Sequence, residues 1–176
     1  MRRYVVLVAG GTGTRMKSEI PKQFLSFAGK PVLIHTIERF YKFDNDIGII
    51  LVLPETSVDF WNRILLENPL PSKVEIAAGG DTRAASTLSG LTKVPDDSIV
   101  AIHDAVRPLL SVELIKRCFL AAEKFGNACP AIISVDSLRR KTGNQSESVN
   151  RDNYLQVQTP QCFKASLLKS AFEKMT

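Results

Sequence analysis

The residues best equipped for chemistry fall in short clusters, and the first is a glycine-rich turn, Ala9-Gly10-Gly11-Thr12-Gly13-Thr14-Arg15. Glycines at Gly10, Gly11 and Gly13 allow positive φ and let backbone N–H groups approach phosphate oxygens with no side chain in the way. The same three residues also suit a plain tight turn. A dinucleotide fingerprint is excluded, because Met16 stands where G-x-G-x-x-G needs its third glycine. A Walker A loop is excluded too, since Gly29-Lys30 is followed by Pro31 and residue 24 is Phe. Arg15 and Lys22 add two cations close to this turn. A guanidinium grips phosphate oxygens in bidentate fashion, and an ammonium acts as a point charge on a developing oxyanion. Either cation alone reads equally as a solvated surface residue.

Two further clusters carry carboxylates. Gly79-Gly80-Asp81-Thr82-Arg83-Ala84-Ala85-Ser86 follows an apolar run and opens a helical one. Asp81 or Thr82 suits the N-cap of that helix, while Gly80, Asp81 and Ser86 together suit the polar edge of a nucleobase. His103-Asp104-Ala105-Val106-Arg107-Pro108 places a carboxylate at the end of another apolar run. Asp104 there fits Mg²⁺, a hard ion that pairs a carboxylate with substrate phosphates, or else pairs with Arg107 three residues on. Histidine chemistry has little support: there are two histidines, His35 reads as structural, and no Gly-x-Ser-x-Gly elbow is present.

The elements that must position these clusters alternate along the chain. Tyr4 to Ala9 reads as a buried strand entering the glycine turn, and Pro31 opens a helix with apolar residues at 33, 34, 37, 40 and 41. Strands are expected at Ile47 to Leu53, Val74 to Ala77, Ile99 to His103 and Ala131 to Val135. Helices are expected near Val58 to Glu67, Thr82 to Leu91 and Val112 to Phe125. Nearly continuous apolar strands separated by helices imply an α/β fold, a mostly parallel sheet with helices on both faces. Ser137 to Asn153 breaks the pattern, with Leu138 and Val149 as its only large aliphatics, and reads as a projecting arm.

A chain of 176 residues that is 44% hydrophobic and 23% charged is one ordinary globular domain rather than a fibre or a disordered tail. Its longest apolar runs are far shorter than a membrane span, and no apolar signal segment follows Met1-Arg2-Arg3, so a cytoplasmic location is expected. Cys118, Cys129 and Cys162 are too far apart for C-x-x-C pairs and are expected as buried thiols. The net charge of +5 is scattered apart from Arg139-Arg140-Lys141, with no stacking aromatics interleaved, which argues for small anionic ligands over nucleic acid.

In order and spacing, AGGTGTRM at residues 9 to 16, PKQF at 21 to 24, GGDTRAAS at 79 to 86, HDAVRP at 103 to 108 and QTPQ at 158 to 161 resemble one family across almost the whole chain. That family is the 2-C-methyl-D-erythritol 4-phosphate cytidylyltransferases, with the ribitol-5-phosphate cytidylyltransferases a looser match. The resemblance implies a Rossmann-like nucleotidyltransferase fold with a projecting β-arm at 137–153 that makes a homodimer. It implies transfer of CMP from CTP to a sugar alcohol phosphate with Mg²⁺, in an enzyme bound to neither membrane nor nucleic acid. By position, Ala9, Gly10, Gly11, Gly13, Gly80, Asp81 and Ser86 match cytidine-binding residues. Arg15 and Lys22 match those that stabilise the pentavalent phosphorus, Asp104 the metal-side acid, and Arg107 its neighbouring arginine. Arg151 matches the arginine that reaches the acceptor phosphate of the neighbouring subunit.

Three departures accompany the resemblance. Ser137 replaces a threonine that helps hold the acceptor, keeping the hydroxyl, and Val149-Asn150-Arg151 replaces Val-Asp-Arg, keeping the arginine. Family members also run on past the position of Thr176, with a segment carrying an acid and a lysine. A chain without that segment is expected to turn over poorly. The ribitol phosphate enzyme and an inactive nucleotide-binding module are the alternative readings.

Overall fold

The computed structural model describes residues 1–9 and 20–174. Strand β1 (Arg3–Val8) leads to the short pair β2 (Ser26–Phe27) and β3 (Lys30–Pro31), then to helix α1 (Val32–Phe43) and β4 (Gly48–Leu53). There follow α2 (Val58–Glu67), β5 (Glu75–Ala78), α3 (Arg83–Leu91), β6 (Ile99–Asp104) and α4 (Val112–Phe125). The remaining elements are β7 (Asn127–Ala128), β8 (Ala131–Ile133), β9 (Leu138–Thr142), β10 (Gln145–Val149), β11 (Leu155–Val157), β12 (Gln161–Lys164) and α5 (Ala165–Glu173).

The main sheet runs β5-β4-β1-β6-β12-β7. Strands β5, β4, β1 and β6 are mutually parallel, and β12 enters antiparallel to β6. Side chains alternate across a strand, and β1 shows the result. Val5 and Leu7 pack with the apolar faces of α1, α2 and α4, while Val6 packs on the other side with Leu91 of α3 and Ala165 of α5. The expected sheet with helices on both faces is therefore the observed one. Helix α4 has its predicted limits because both ends are capped. Ser111 accepts from the Leu114 N–H, and Gly126 closes the helix in the left-handed conformation at φ 92°.

Two expectations are corrected. The strand predicted at Ala131 to Val135 does not join the main sheet: β8 pairs with β11 in a separate two-stranded ladder, and β12 takes the place beside β6. A short apolar run cannot by itself specify which edge it joins. Cys118 and Cys162 are buried, but Cys129 is exposed where the chain leaves β7 ahead of Pro130.

The polar segment is a hairpin, with β9 and β10 paired antiparallel from Leu138↔Val149 to Thr142↔Gln145. Every residue of the two strands is exposed except Leu138 and Val149 at the base. The arm carries its own polar pairings: Arg139 donates to the Ser146 hydroxyl and carbonyl at 2.8 and 2.7 Å, and Arg140 pairs with Glu147. Around its base Ile132, Ile133, Val135, Leu155 and Val157 stand more than half exposed.

Candidate functional site

The carboxyl ends of β1, β5 and β6 meet at a cavity of about 450 Å³, where an open parallel sheet binds its ligands. Chain segments far apart in sequence converge here. Ala9 continues the ladder beyond β1, its N–H bonded to the Val52 carbonyl at 3.0 Å. Lys22 comes from a turn of 3₁₀ helix fixed by its two neighbours. Phe24 is buried and stacks on Phe60 at 4.8 Å, and buried Gln23 donates to the Ala9 carbonyl at 3.2 Å. The turn after β5 supplies Gly80 to Ser86, and the end of β6 supplies Asp104 and Arg107.

Local chemistry explains the second segment. Thr82, one of the two expected caps, accepts from the Ala85 N–H at 3.0 Å and starts α3 with its N-terminus open to the cavity. That end of a helix favours an anion or an acceptor-rich ligand edge. The Ser86 hydroxyl bridges Gly80, accepting from its N–H at 3.0 Å and donating to its carbonyl at 3.2 Å. Its first task is thus to hold the turn that presents Gly80 and Asp81. Gly80 has no room for a side chain, since a Cβ there would lie 2.7 Å from the Ala85 Cβ.

Asp104 sits between two guanidinium groups. Arg107 Nε donates to Oδ2 at 2.8 Å and Arg83 Nε donates to Oδ1 at 3.2 Å. The Arg107 pairing is the one that the spacing allowed. Arg83 lay within a motif without being assigned a role, and its approach to Asp104 spans 21 residues. Counting Lys22, the described lining carries three cations against the carboxylates of Asp81 and Asp104, which suits an anionic ligand.

Behind Asp104, His103 is fully buried. Its Nε2 lies 3.2 Å from the Arg107 carbonyl and its Nδ1 lies 2.8 Å from the Thr159 hydroxyl. Burial pushes its pKa down from 6.5 to about 4, against the opposing pull of the bond to Arg107 and the charge of Asp104. The imidazole is therefore neutral at physiological pH. His35 bonds the Phe27 carbonyl at 2.7 Å, in keeping with a structural role.

The family model of 2-C-methyl-D-erythritol 4-phosphate cytidylyltransferase matches residues 4–176. This chain belongs to that family. The enzyme of that name from Bacteroides fragilis is 48% identical over 174 residues, 99% of this chain and 80% of the relative. Among solved structures, the 4-diphosphocytidyl-2C-methyl-D-erythritol synthase of Anaerococcus prevotii superposes with a TM-score of 0.82 at 28% identity, covering 99% of this chain and 74% of that one. The Francisella tularensis cytidylyltransferase gives 0.80 at 27% identity, covering 99% and 77%. The expected nucleotidyltransferase fold and enzyme class are thereby shown.

Within this cytidylyltransferase fold the predicted residues divide into three groups. Ala9, Lys22, Gly80, Asp81, Ser86, Asp104 and Arg107 line the one cavity. Gly10, Gly11, Gly13 and Arg15 lie outside the described residues. Ser137 and Arg151 are exposed around the arm, away from this lining, and Arg151 Nη1 donates to the Val135 carbonyl. Gln23, missed as a site residue, also lines the cavity, and its buried Oε1 has no partner among the described residues. It was legible only as the residue beside Lys22 in PKQF.

For a divalent cation the described cavity offers the carboxylates of Asp104 and Asp81, and no cluster of three or more His, Cys, Asp or Glu gathers among the described residues. That donor set does not make a closed protein cage. It does fit Mg²⁺ carried on substrate phosphates, which takes one or two carboxylates and keeps oxygens of phosphate and water. Both Asp104 oxygens now face guanidinium groups, so binding there means exchanging an arginine contact.

Proposed function

We propose that this chain transfers CMP from CTP to 2-C-methyl-D-erythritol 4-phosphate, releasing pyrophosphate and forming 4-diphosphocytidyl-2-C-methyl-D-erythritol, as a cytoplasmic homodimer. The observation that carries the reading is convergence: Lys22, Gly80 to Ser86, and Asp104 with Arg107 come from three distant stretches to line one cavity. No helix among the described residues is long and apolar enough to cross a membrane.

An oxygen of the acceptor phosphate attacks the α-phosphorus of CTP in line, and the bond from that phosphorus to the oxygen bridging to the β-phosphate breaks. Both reactants are anions, so the protein's task is alignment and charge neutralisation. Gly80 and Asp81, held by Ser86 at the start of α3, face the cytosine. Lys22, with Arg15, stands for the charge that grows on the α-phosphate oxygens, and Arg107 offers a guanidinium to phosphate oxygens. Asp104 would hold Mg²⁺, whose charge, when bound, offsets that of the triphosphate.

The homodimer reading is supported by the arm. An isolated two-stranded hairpin is marginal in water, and this one rises from a belt of exposed Ile132, Ile133, Val135, Leu155 and Val157 that a second chain would cover. In that arrangement Ser137 and Arg151 would serve the acceptor in the partner's cavity. The decisive assay follows pyrophosphate release with CTP and Mg²⁺, offering methylerythritol phosphate and ribitol 5-phosphate separately. Faster release with ribitol 5-phosphate would reassign the acceptor, and release with neither would leave a nucleotide-binding module.

A further inference from the structure

The QTPQ motif at residues 158 to 161 plays no part in the transfer scheme above, yet it touches the site at two points. Gln158 Oε1 accepts from Arg107 Nη1 at 2.9 Å, and the Thr159 hydroxyl meets His103 Nδ1 at 2.8 Å. The direction of the second bond follows from the first principles of donors and acceptors. The Arg107 carbonyl can only accept, so His103 must carry its proton on Nε2. With the ring neutral, Nδ1 is a lone pair and the Thr159 hydroxyl donates to it. The result is an unbroken chain from the Thr159 hydroxyl through the imidazole to the backbone of Arg107.

The same turn is tied from other sides. Thr36 of α1 donates to the Ala105 carbonyl at 2.8 Å, and the Ala105 N–H reaches the Val8 carbonyl at 3.1 Å. Gln158 is itself anchored, its N–H bonded to the Pro130 carbonyl at 2.8 Å. Arg107 is thus fixed at its carbonyl by His103, at Nε by Asp104 and at Nη1 by Gln158. Among the described residues Nη2 has no partner, and the side chain is half exposed at the cavity wall.

We propose that Gln158 and Thr159 are positioning residues for the transfer: Gln158 directly, and Thr159 through His103, hold Arg107 so that its Nη2 faces the substrate phosphates. The proposal rests on the cytidylyltransferase reading for its substrates but not for its geometry. An arginine left to rotate freely would lose rotamer entropy on each binding event, and the clamp removes that cost beforehand.

The test is a double-mutant cycle on kcat/KM, with Thr159→Val and Gln158→Leu each made in wild type and in Arg107→Ala. Alone, each substitution should lower kcat/KM about 5- to 10-fold, the worth of one buried or charge-assisted bond, and Thr159→Ser should restore most of the loss. In the Arg107→Ala background both should change it less than about 2-fold, because the group they position is gone. Equal losses in the two backgrounds would overturn the proposal. Gln158→Leu, away from the core, keeps the cycle readable if Thr159→Val unfolds. A second readout needs no turnover: nitrogen shifts of the His103 ring should show the neutral Nε2–H tautomer in wild type. An Nδ1–H tautomer would overturn the Thr159 arm. A wild type inactive with both acceptors but carrying the Nε2–H tautomer would sink the transfer reading and leave the clamp standing.

Discussion

The cavity and the arm are held in place by opposite means. At the cavity each functional side chain sits on a turn that leaves a buried strand, and several bonds from other elements fix that turn: Ala105 to Val8 and Thr36, Arg107 to His103, Gly80 to Ser86. In the arm, position is set by one antiparallel ladder and by pairings between its own two strands, Arg139 with Ser146 and Arg140 with Glu147. The first region is specified by the chain's own packing, whereas the second is specified locally and placed by little else within this chain. In the proposed homodimer a second surface orders such a region, because fixing each backbone residue costs about 1–2 kcal/mol that exposed charge pairs, at about 0–1 kcal/mol apiece, do not offset.

The strongest way to break that contrast is at the cavity. Lys22→Ala should lower kcat by about 10²- to 10³-fold while changing the KM for CTP much less, since a cation aimed at the α-phosphate acts mainly on charge that develops during transfer. Steady-state kinetics with pyrophosphate release decides it. A variant with unchanged kcat and a raised KM would demote Lys22 to a ground-state contact. The fold should persist in either case, because Gln23 and Phe24, not Lys22, pin the turn.

His103 sharpens the contrast thermodynamically. Folded, its pKa is about 4 against 6.5, so between those values the unfolded chain binds the extra proton and stability rises with pH. The stabilisation is fully present above pH 6.5 and lost as pH falls towards 4, amounting to about 3 kcal/mol across the window. Three charges act on the ring: that of Asp104 opposes burial, whereas those of Arg107 and Arg83 lower the pKa alongside it. Urea midpoints of wild type and His103→Gln over that range should converge at low pH. Parallel curves would mean that the ring is not buried in the neutral state.

Legibility in the sequence follows the same division. Helices α2 and α4 and strands β1, β4 and β6 were readable to within a residue or two, because burial repeats with the period of the element and caps stand beside it. Asp104 and Arg107 were readable as a pair because they stand three positions apart. The contacts that finish the site were not: Arg83 to Asp104 spans 21 residues and His103 to Thr159 spans 56. Nothing local marks which distant donor a side chain will meet. The exchange of β8 for β12 at the sheet failed for the same reason, since pairing partners are chosen by tertiary packing.

Complementation joins the two regions. If the arm serves a neighbouring chain, an Arg151→Ala chain mixed with a Lys22→Ala chain, each nearly inactive alone, regains activity. Half of the dimers at equal mixing are mixed, and each has one intact site of two, so about a quarter of wild-type activity should return. No recovery after demonstrated subunit exchange would return Arg151 to its own chain and erase the distinction between a self-specified cavity and a partner-specified arm.

The smallest expected effect isolates the arm itself. Its loop is the two-residue turn Gly143-Asn144, with φ +61° at Gly143 and no positive φ at Asn144, the pattern that keeps twisted strands in register when glycine comes first. A Cβ on Gly143 would meet nothing within 4 Å, so Gly143→Ala is sterically free of neighbours and costs only the backbone preference of an L-residue, about 1–2 kcal/mol. Within one chain that cost falls on a hairpin outside both core clusters. Unfolding at low protein concentration, where the chain is unassociated, should therefore follow the wild-type transition. If the arm is ordered against a second chain, the same cost appears in association, as a dissociation constant raised about 5- to 30-fold in sedimentation. A lowered unfolding midpoint with unchanged association would place the arm in the chain's own core. No change in either would make it an ordinary loop, because a hairpin whose turn can be strained at no cost to folding or assembly orders nothing.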